Sequence, residues 1–167
     1  MIDAELESLA LRTGAVLKAR GLLLATAESC TGGWISMAVT AIAGSSAWFD
    51  RGFVTYSNAA KQAQLGVSAD TLVRHGAVSE QTVAEMVDGA LQRSEAGIAV
   101  AVSGVAGPGG GSPGKPVGTV CIAWADTTGR RRVQTFHFPD DRTAVRRQTV
   151  IEALIGVIDM AGQPMPA

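Results

Sequence analysis

The stretch ATAESCTGG, residues 25–33, sets a carboxylate, two hydroxyls and a thiol between an apolar run and a pair of glycines. Just upstream, LLLAT (22–26) has the length of a strand, and its composition predicts burial on both faces. From Gly32 the segment GGWISMAVTAIAG resumes helical spacing and predicts a helix that closes at Gly44. The quoted residues therefore sit where a strand hands over to a helix. In layered α/β proteins ligands gather beyond the carboxyl ends of strands. There the unpaired N–H groups of a helix start favour an anion or an oxyanion. Gly32 and Gly33 carry no Cβ and admit a ligand close to the backbone, while Ser29 and Thr31 place hydroxyls at the same rim. A plain N-cap at Ser29 or Thr31, with the glycines relieving packing, is the competing explanation. Neither a G-x-S-x-G elbow nor a Walker A loop is present.

Working outward, the spacing of Leu6, Leu9, Thr13, Val16 and Leu17 predicts a helix over 3–20, capped by Asp3 and stopped at Gly21. GFVTYS (52–57) predicts a second strand, and NAAKQAQLG (58–66) a short helix capped by Asn58. Ser68 and Ser79 look like further caps, and Val83, Met86, Val87, Ala90 and Leu91 form an apolar stripe. GIAVAVSG (97–104) predicts a third strand. VGTVCIAWA (117–125) and RRVQTFHF (131–138) predict a hairpin around DTTGR. Asp140 or Asp141 caps a last helix, striped by Val150, Leu154, Val157 and Ile158. The order α-β-α-β-α-α-β-β-β-α predicts an α/β fold, a three-layer α/β/α sandwich around a mixed sheet, as one domain over residues 1–167.

Composition narrows the function. Apolar residues make up 47% and aromatic residues 5%, so the core is aliphatic. Lys and Arg number 14 against 15 Asp and Glu, which gives no basic field for nucleic acid or an anionic membrane. No apolar run reaches the ~20 residues of a membrane span, and the acidic, amphipathic MIDAELESLA does not read as a signal peptide. Cys30 and Cys121 are too far apart for a zinc knuckle, and with just His75 and His137 a dedicated metal site is not expected. A reducing cytoplasm is the expected compartment.

Three further segments carry chemistry. In YSNAAK, Lys61 can serve as base to a serine if it loses solvent, and Tyr56 can relay a proton or donate to a ligand. An exposed helical lysine and a tyrosine half-buried in the sheet fit the same letters. SGVAGPGGGSPGKPVG (103–118) opens a strand into a glycine-rich loop longer than a simple connection requires. Ser103, Gly104 and Gly107 lie at its start and Lys115 near its exit. In PDDRTAVRRQT (139–149), Arg142 and Arg146 stack four apart and can hold a phosphate or carboxylate, whereas Arg147 points elsewhere. A solvated helix face is the alternative. Cys30 ranks behind Ser29 as a nucleophile. Glu28 either fixes the turn or touches a ribose.

Taken together, TAESCTGG, GFVTYSNAAK, LGV, HGAVSE, SGVAGPGGG, KPVGTV and DRTAVRRQ, in that order from about residue 5 to 155, resemble the CinA C-terminal domain family and its stand-alone nicotinamide-nucleotide amidases. The resemblance implies hydrolysis of the carboxamide of nicotinamide mononucleotide to nicotinate mononucleotide and ammonia, in pyridine-nucleotide recycling. It implies no organic cofactor and a homodimer or larger homo-oligomer. Carried over by position, Ser29 is the nucleophile, Lys61 its base and Tyr56 the accompanying tyrosine. Ser103 stands where many relatives have threonine. Arg142, with Arg146 behind it, binds the nucleotide; Glu28, Thr31, Gly32, Gly33, Gly104 and Gly107 complete the substrate site. Two other readings use the same residues: a nucleotide-binding regulatory module without catalysis, and a metal-dependent hydrolase of a related nucleotide.

Overall fold

The computed structural model describes residues 2–164. Helix α1 (Ala4–Arg20) is capped by Asp3, whose carboxylate accepts from the N–H groups of Glu5 and Leu6, and ends at a left-handed Gly21. Strand β1 (Leu24–Glu28) is buried along its whole length. Helix α2 (Trp34–Thr40) is shorter than the sequence predicts: residues 41–44 form turns, and a 3₁₀ turn follows at Ser45–Ala47. Strand β2 (Phe49–Val54) lies earlier than expected, so Tyr56 falls in the following loop and is 62% exposed rather than half-buried in the sheet.

Three helices follow β2 where the predicted order has two: α3 (Asn58–Leu65), α4 (Ala69–His75) and α5 (Glu80–Gln92). Ser57, not Asn58, caps α3, its hydroxyl accepting from the Ala60 N–H. Ser68 and Ser79 cap α4 and α5 as expected. Strands β3 (Ile98–Gly104), β4 (Thr119–Asp126) and β5 (Arg131–His137) lead to α6 (Arg142–Gly162), capped by Asp141. At the hairpin, Asp126 accepts from Thr128 and Arg130 and closes the DTTGR turn.

The sheet runs β2-β1-β3-β4-β5. Strand β1 pairs in parallel with β2 and β3, and the two later pairings are antiparallel. Its two faces differ sharply in bulk. One presents Leu24, Ile98, Val100, Val102, Ile122 and Trp124 to α1, α2 and α6. The other presents Ala25, Ala27, Ala99, Ala101, Ala123 and Ala125 to α5, with α3 and α4 packed alongside. Strand alternation makes this division automatic, since successive side chains point to opposite layers. Small side chains let α5 lie close to the sheet, and that closeness carries α3 inward.

The contact between α3 and α5 has no slack. A Cβ added at Gly89 would stand 2.0 Å from the Leu65 carbonyl oxygen at the end of α3. Gly89→Ala must push α3 outward, and overpacking of this kind costs about 1–3 kcal/mol. The expected result is a clear fall in melting temperature, measured calorimetrically. Activity should fall further than stability does, because α3 also carries Lys61.

Candidate active site

Beyond β1 the chain makes a tight turn through Ser29–Gly33. Ser29 extends the β1–β3 pairing, its N–H donating to the Val102 carbonyl, and so keeps strand alternation. Glu28 therefore faces the bulky layer and Ser29 the alanine layer. Gly32 and Gly33 take left-handed φ values of 60° and 99°, which a side chain would strain. Neither Ser29 nor Thr31 caps α2: its N-cap is Gly33, with no side-chain hydrogen bond.

Glu28 is 0% exposed, and its carboxylate is enclosed by the turn. Oε1 accepts from the Thr31 hydroxyl (2.7 Å) and the Ile35 N–H (2.8 Å). Oε2 accepts from the Ser36 N–H (3.0 Å) and hydroxyl (2.7 Å). Of the two roles expected for Glu28, this geometry is that of fixing the turn, with no face left for a ribose. Thr31, also 0% exposed, spends its hydroxyl on Glu28 rather than on a ligand. Ser36 and Thr26 belong to the same network, with hydroxyls 2.8 Å apart. Thr26 was legible as the residue two before Glu28 on the same strand face; Ser36 becomes a partner through the turn.

On the alanine side, Lys61 reaches in from α3. Its Nζ lies 2.9 Å from Ser29 Oγ, and it donates to the carbonyls of Thr55 (2.8 Å) and Tyr56 (3.3 Å). Lys61 is 1% exposed and Ser29 8%. Among the described residues no carboxylate salt-bridges this lysine. Burial pulls the amine's pKa below the usual lysine value, because the charged form loses water without gaining an anion. Thr55 had no sequence signal, since its contribution is a main-chain oxygen.

Cys30, beside Ser29, is the opposite case. Burial first, then the charge of Glu28, push its thiol up to about 12, against the opposing pull of Arg146 and Lys61. A thiol held protonated is no nucleophile at neutral pH. Cys121 is likewise buried, and its pKa is also raised.

The two arginines diverge instead of sharing one ligand. Arg142 donates to the Gly107 carbonyl (2.9 Å) and to the Tyr56 hydroxyl (3.2 Å), joining the glycine-rich loop to the segment between β2 and α3. Arg146 donates to the carbonyls of Cys30 (3.0 Å) and Thr31 (3.0 Å) and lies 5.4 Å from the Trp34 ring centre. Arg147 pairs with Asp3 and Glu5, away from the site. Ser103 follows Val102 on β3 and is 1% exposed, one strand over from Ser29. Gly104 is needed for space: a Cβ there would meet the Val120 side chain at 2.6 Å. Gly107 has φ 85° and precedes a cis peptide bond to Pro108.

A cavity of about 300 Å³ opens on the outer side of the turn, walled by Thr31–Trp34, Met37 and Arg146. Another, of about 470 Å³, is walled by Arg74, His75, Glu80, Lys115, Thr135 and His137 among others, and by neither Ser29 nor Lys61. His75 and His137 thus line a cavity, and Lys115, in the same lining, donates to the His75 carbonyl. Among the described residues no group of three His, Cys, Asp or Glu side chains is placed to hold a metal ion. No helix there is long and apolar enough to cross a membrane.

A profile of the CinA C-terminal domain matches residues 6–161. The chain belongs to the CinA C-terminal domain family. Among its CinA relatives is the nicotinamide-nucleotide amidohydrolase PncC of Escherichia coli K12, 55% identical over 154 residues, covering 92% of this chain and 93% of that one. The protein of the same name from Pseudomonas putida is 54% identical over 153 residues, covering 92% and 95%. The crystal structure of the competence/damage inducible protein CihA from Agrobacterium tumefaciens superposes with a TM-score of 0.94 at 49% identity, covering 98% and 99% of the two chains.

The contrast between Ser29 and Cys30 has a direct test. In the native CinA domain neither thiol should react with a disulfide reagent at pH 8 over the time in which urea-unfolded protein reacts fully. Rapid native labelling of Cys30 would contradict its enclosed position.

Proposed function

We propose that this protein hydrolyses the carboxamide of nicotinamide mononucleotide, with Ser29 as nucleophile and Lys61 as its base. The observation that carries the reading is the 2.9 Å contact between Lys61 Nζ and Ser29 Oγ, made by a buried amine with no anionic partner among the described residues. The names of the Escherichia coli and Pseudomonas putida relatives support the substrate.

A neutral amine has two N–H groups and one lone pair. The Thr55 and Tyr56 carbonyls occupy the two donors, which turns the lone pair towards the Ser29 hydroxyl. Ser29 then donates its proton to Nζ as Oγ bonds to the amide carbon. An oxyanion forms beside the turn, where no carbonyl among the described residues accepts from the N–H groups of Cys30 and Thr31. The C–N bond breaks as Lys61 returns the proton to the departing nitrogen, releasing ammonia and leaving an ester on Ser29. Water attacks that ester, gives its proton to Lys61, and Ser29 regains a hydrogen as the acid nucleotide leaves. Arg142, with the glycine-rich loop it touches, is the candidate to receive the 5′-phosphate, and Tyr56 lies within reach of the same group. Pyridine-nucleotide recycling in the cytoplasm is the setting that this chemistry suits.

Ammonia release from nicotinamide mononucleotide tests the reading. Ser29→Ala and Lys61→Met should each lower turnover by about 10³-fold or more while leaving the fold intact. Nucleotide affinity without ammonia release would instead favour a regulatory module. Since the working form of Lys61 is the neutral amine, kcat/KM should rise with pH through a midpoint below the usual lysine value.

The same lowered pKa makes stability depend on pH. The unfolded chain holds its lysine proton more tightly, so between the folded and unfolded midpoints unfolding takes up a proton. The cost of burying Lys61 is fully present below the folded midpoint and fades as pH rises towards the usual lysine value. Denaturant titrations should therefore show wild-type stability gaining on that of Lys61→Met over this range.

A further inference from the structure

We infer that Arg146 is a positioning residue: it orients the peptide between Cys30 and Thr31 so that the Thr31 N–H serves as oxyanion donor to the group attacked by Ser29. The inference rests on the reading of Ser29 as nucleophile, and it assigns Arg146 to the backbone of the turn instead of to the nucleotide.

The argument is one of peptide geometry. Arg146 projects from α6, which packs on the bulky face of the sheet. Its Nε donates to the Cys30 carbonyl and its Nη2 to the Thr31 carbonyl, each at 3.0 Å, so one planar guanidinium grips two successive peptides. In a trans peptide the N–H points opposite to the C=O. Drawing the Cys30 oxygen towards α6 turns the Thr31 N–H towards the opposite layer. That is the alanine side, where Ser29 Oγ meets Lys61. Among the described residues no carbonyl or side chain accepts from this N–H, whereas the neighbouring Gly32 N–H is consumed by the Ser29 carbonyl.

Two supports hold the grip in place. The Trp34 ring lies 5.4 Å from the guanidinium, a distance at which a cation is attracted to the ring face. On the same face of the sheet Glu28 ties Thr31, Ile35 and Ser36 together and anchors the end of the turn, which leaves the Cys30–Thr31 peptide to be set by the arginine. A lysine at 146 could satisfy one carbonyl as a point charge, but it lacks the fork that fixes both planes.

The test compares wild type, Arg146→Lys, Arg146→Met and Trp34→Leu, each first checked for an unchanged melting profile. With nicotinamide mononucleotide as substrate, Arg146→Met should lose about 10²-fold in kcat, the usual effect of one oxyanion donor. KM should stay within about threefold and the pH midpoint set by Lys61 should not move. Arg146→Lys should recover little of the loss, and free guanidinium should restore part of the Arg146→Met rate where ammonium does not. A raised KM with kcat intact would make Arg146 a nucleotide ligand and overturn the inference. If Arg146→Met does not fold, Arg146→Lys and Trp34→Leu decide by the same split. A second readout needs no nucleotide: the rate at which a small fluorophosphonate labels Ser29, forming P–O and expelling fluoride. Slow labelling of the variants with brisk labelling of wild type upholds the inference even if no ammonia is released, in which case the amidase reading alone fails. Equal labelling of all four proteins, or none of wild type, overturns it.

Discussion

Everything at this site follows from an amine withdrawn from water without a carboxylate to meet it. A charged lysine in that position would lose several kcal/mol of hydration. The surroundings of Lys61 offer two carbonyls and a hydroxyl, partners that satisfy a neutral amine and leave a charged one under-compensated. The protein thereby biases Lys61 towards the neutral form, the one the proposed reaction needs. It does so by geometry: α3 is carried inward by its contact with α5, and α5 lies close because the sheet face beneath it is made of alanine.

The end of β1 shows how one strand can serve two purposes. Glu28 and Ser29 are neighbours in sequence and belong to opposite layers. The carboxylate, turned to the bulky face, accepts four close hydrogen bonds and binds the start of α2 to the strand. The hydroxyl, turned to the thin face, meets Lys61. Cys30, next in line, is pushed into the core and silenced by burial. Three consecutive polar side chains thus become an anchor, the partner of Lys61 and filler, and the sorting comes from where each side chain points.

Charge is deployed with similar economy. The chain is nearly neutral, with a formal net charge of −1, yet two arginines converge on the site from one helix. Four residues apart on α6, they were expected to share a ligand. Arg142 instead meets the glycine-rich loop and Tyr56 while Arg146 meets the Ser29–Gly33 turn, because those two segments approach the same helix face at different heights. In the proposed reaction a phosphate would then meet Arg142, and the oxyanion the Thr31 N–H that Arg146 orients.

The amino-acid order by itself determined the layered α/β class, the strand-to-helix handover at Ser29 and the caps at Asp3, Ser68 and Ser79, and family resemblance singled out Ser29 and Lys61, whose contact the structure supplied. These are short-range properties: periodicity, side-chain size, turn chemistry and motif order are all written along the chain. It misplaced the cap of α3 and put Tyr56 in a strand, since Ser57 and Asn58 are equivalent cappers on paper and a strand's end depends on its neighbour's register. Tertiary structure alone decided that Glu28 is enclosed, that Thr55 lends a carbonyl, and that the arginines part company. Each of those depends on atoms brought together from distant segments, above all on main-chain oxygens, which are the same in every residue and so leave no trace in the letters.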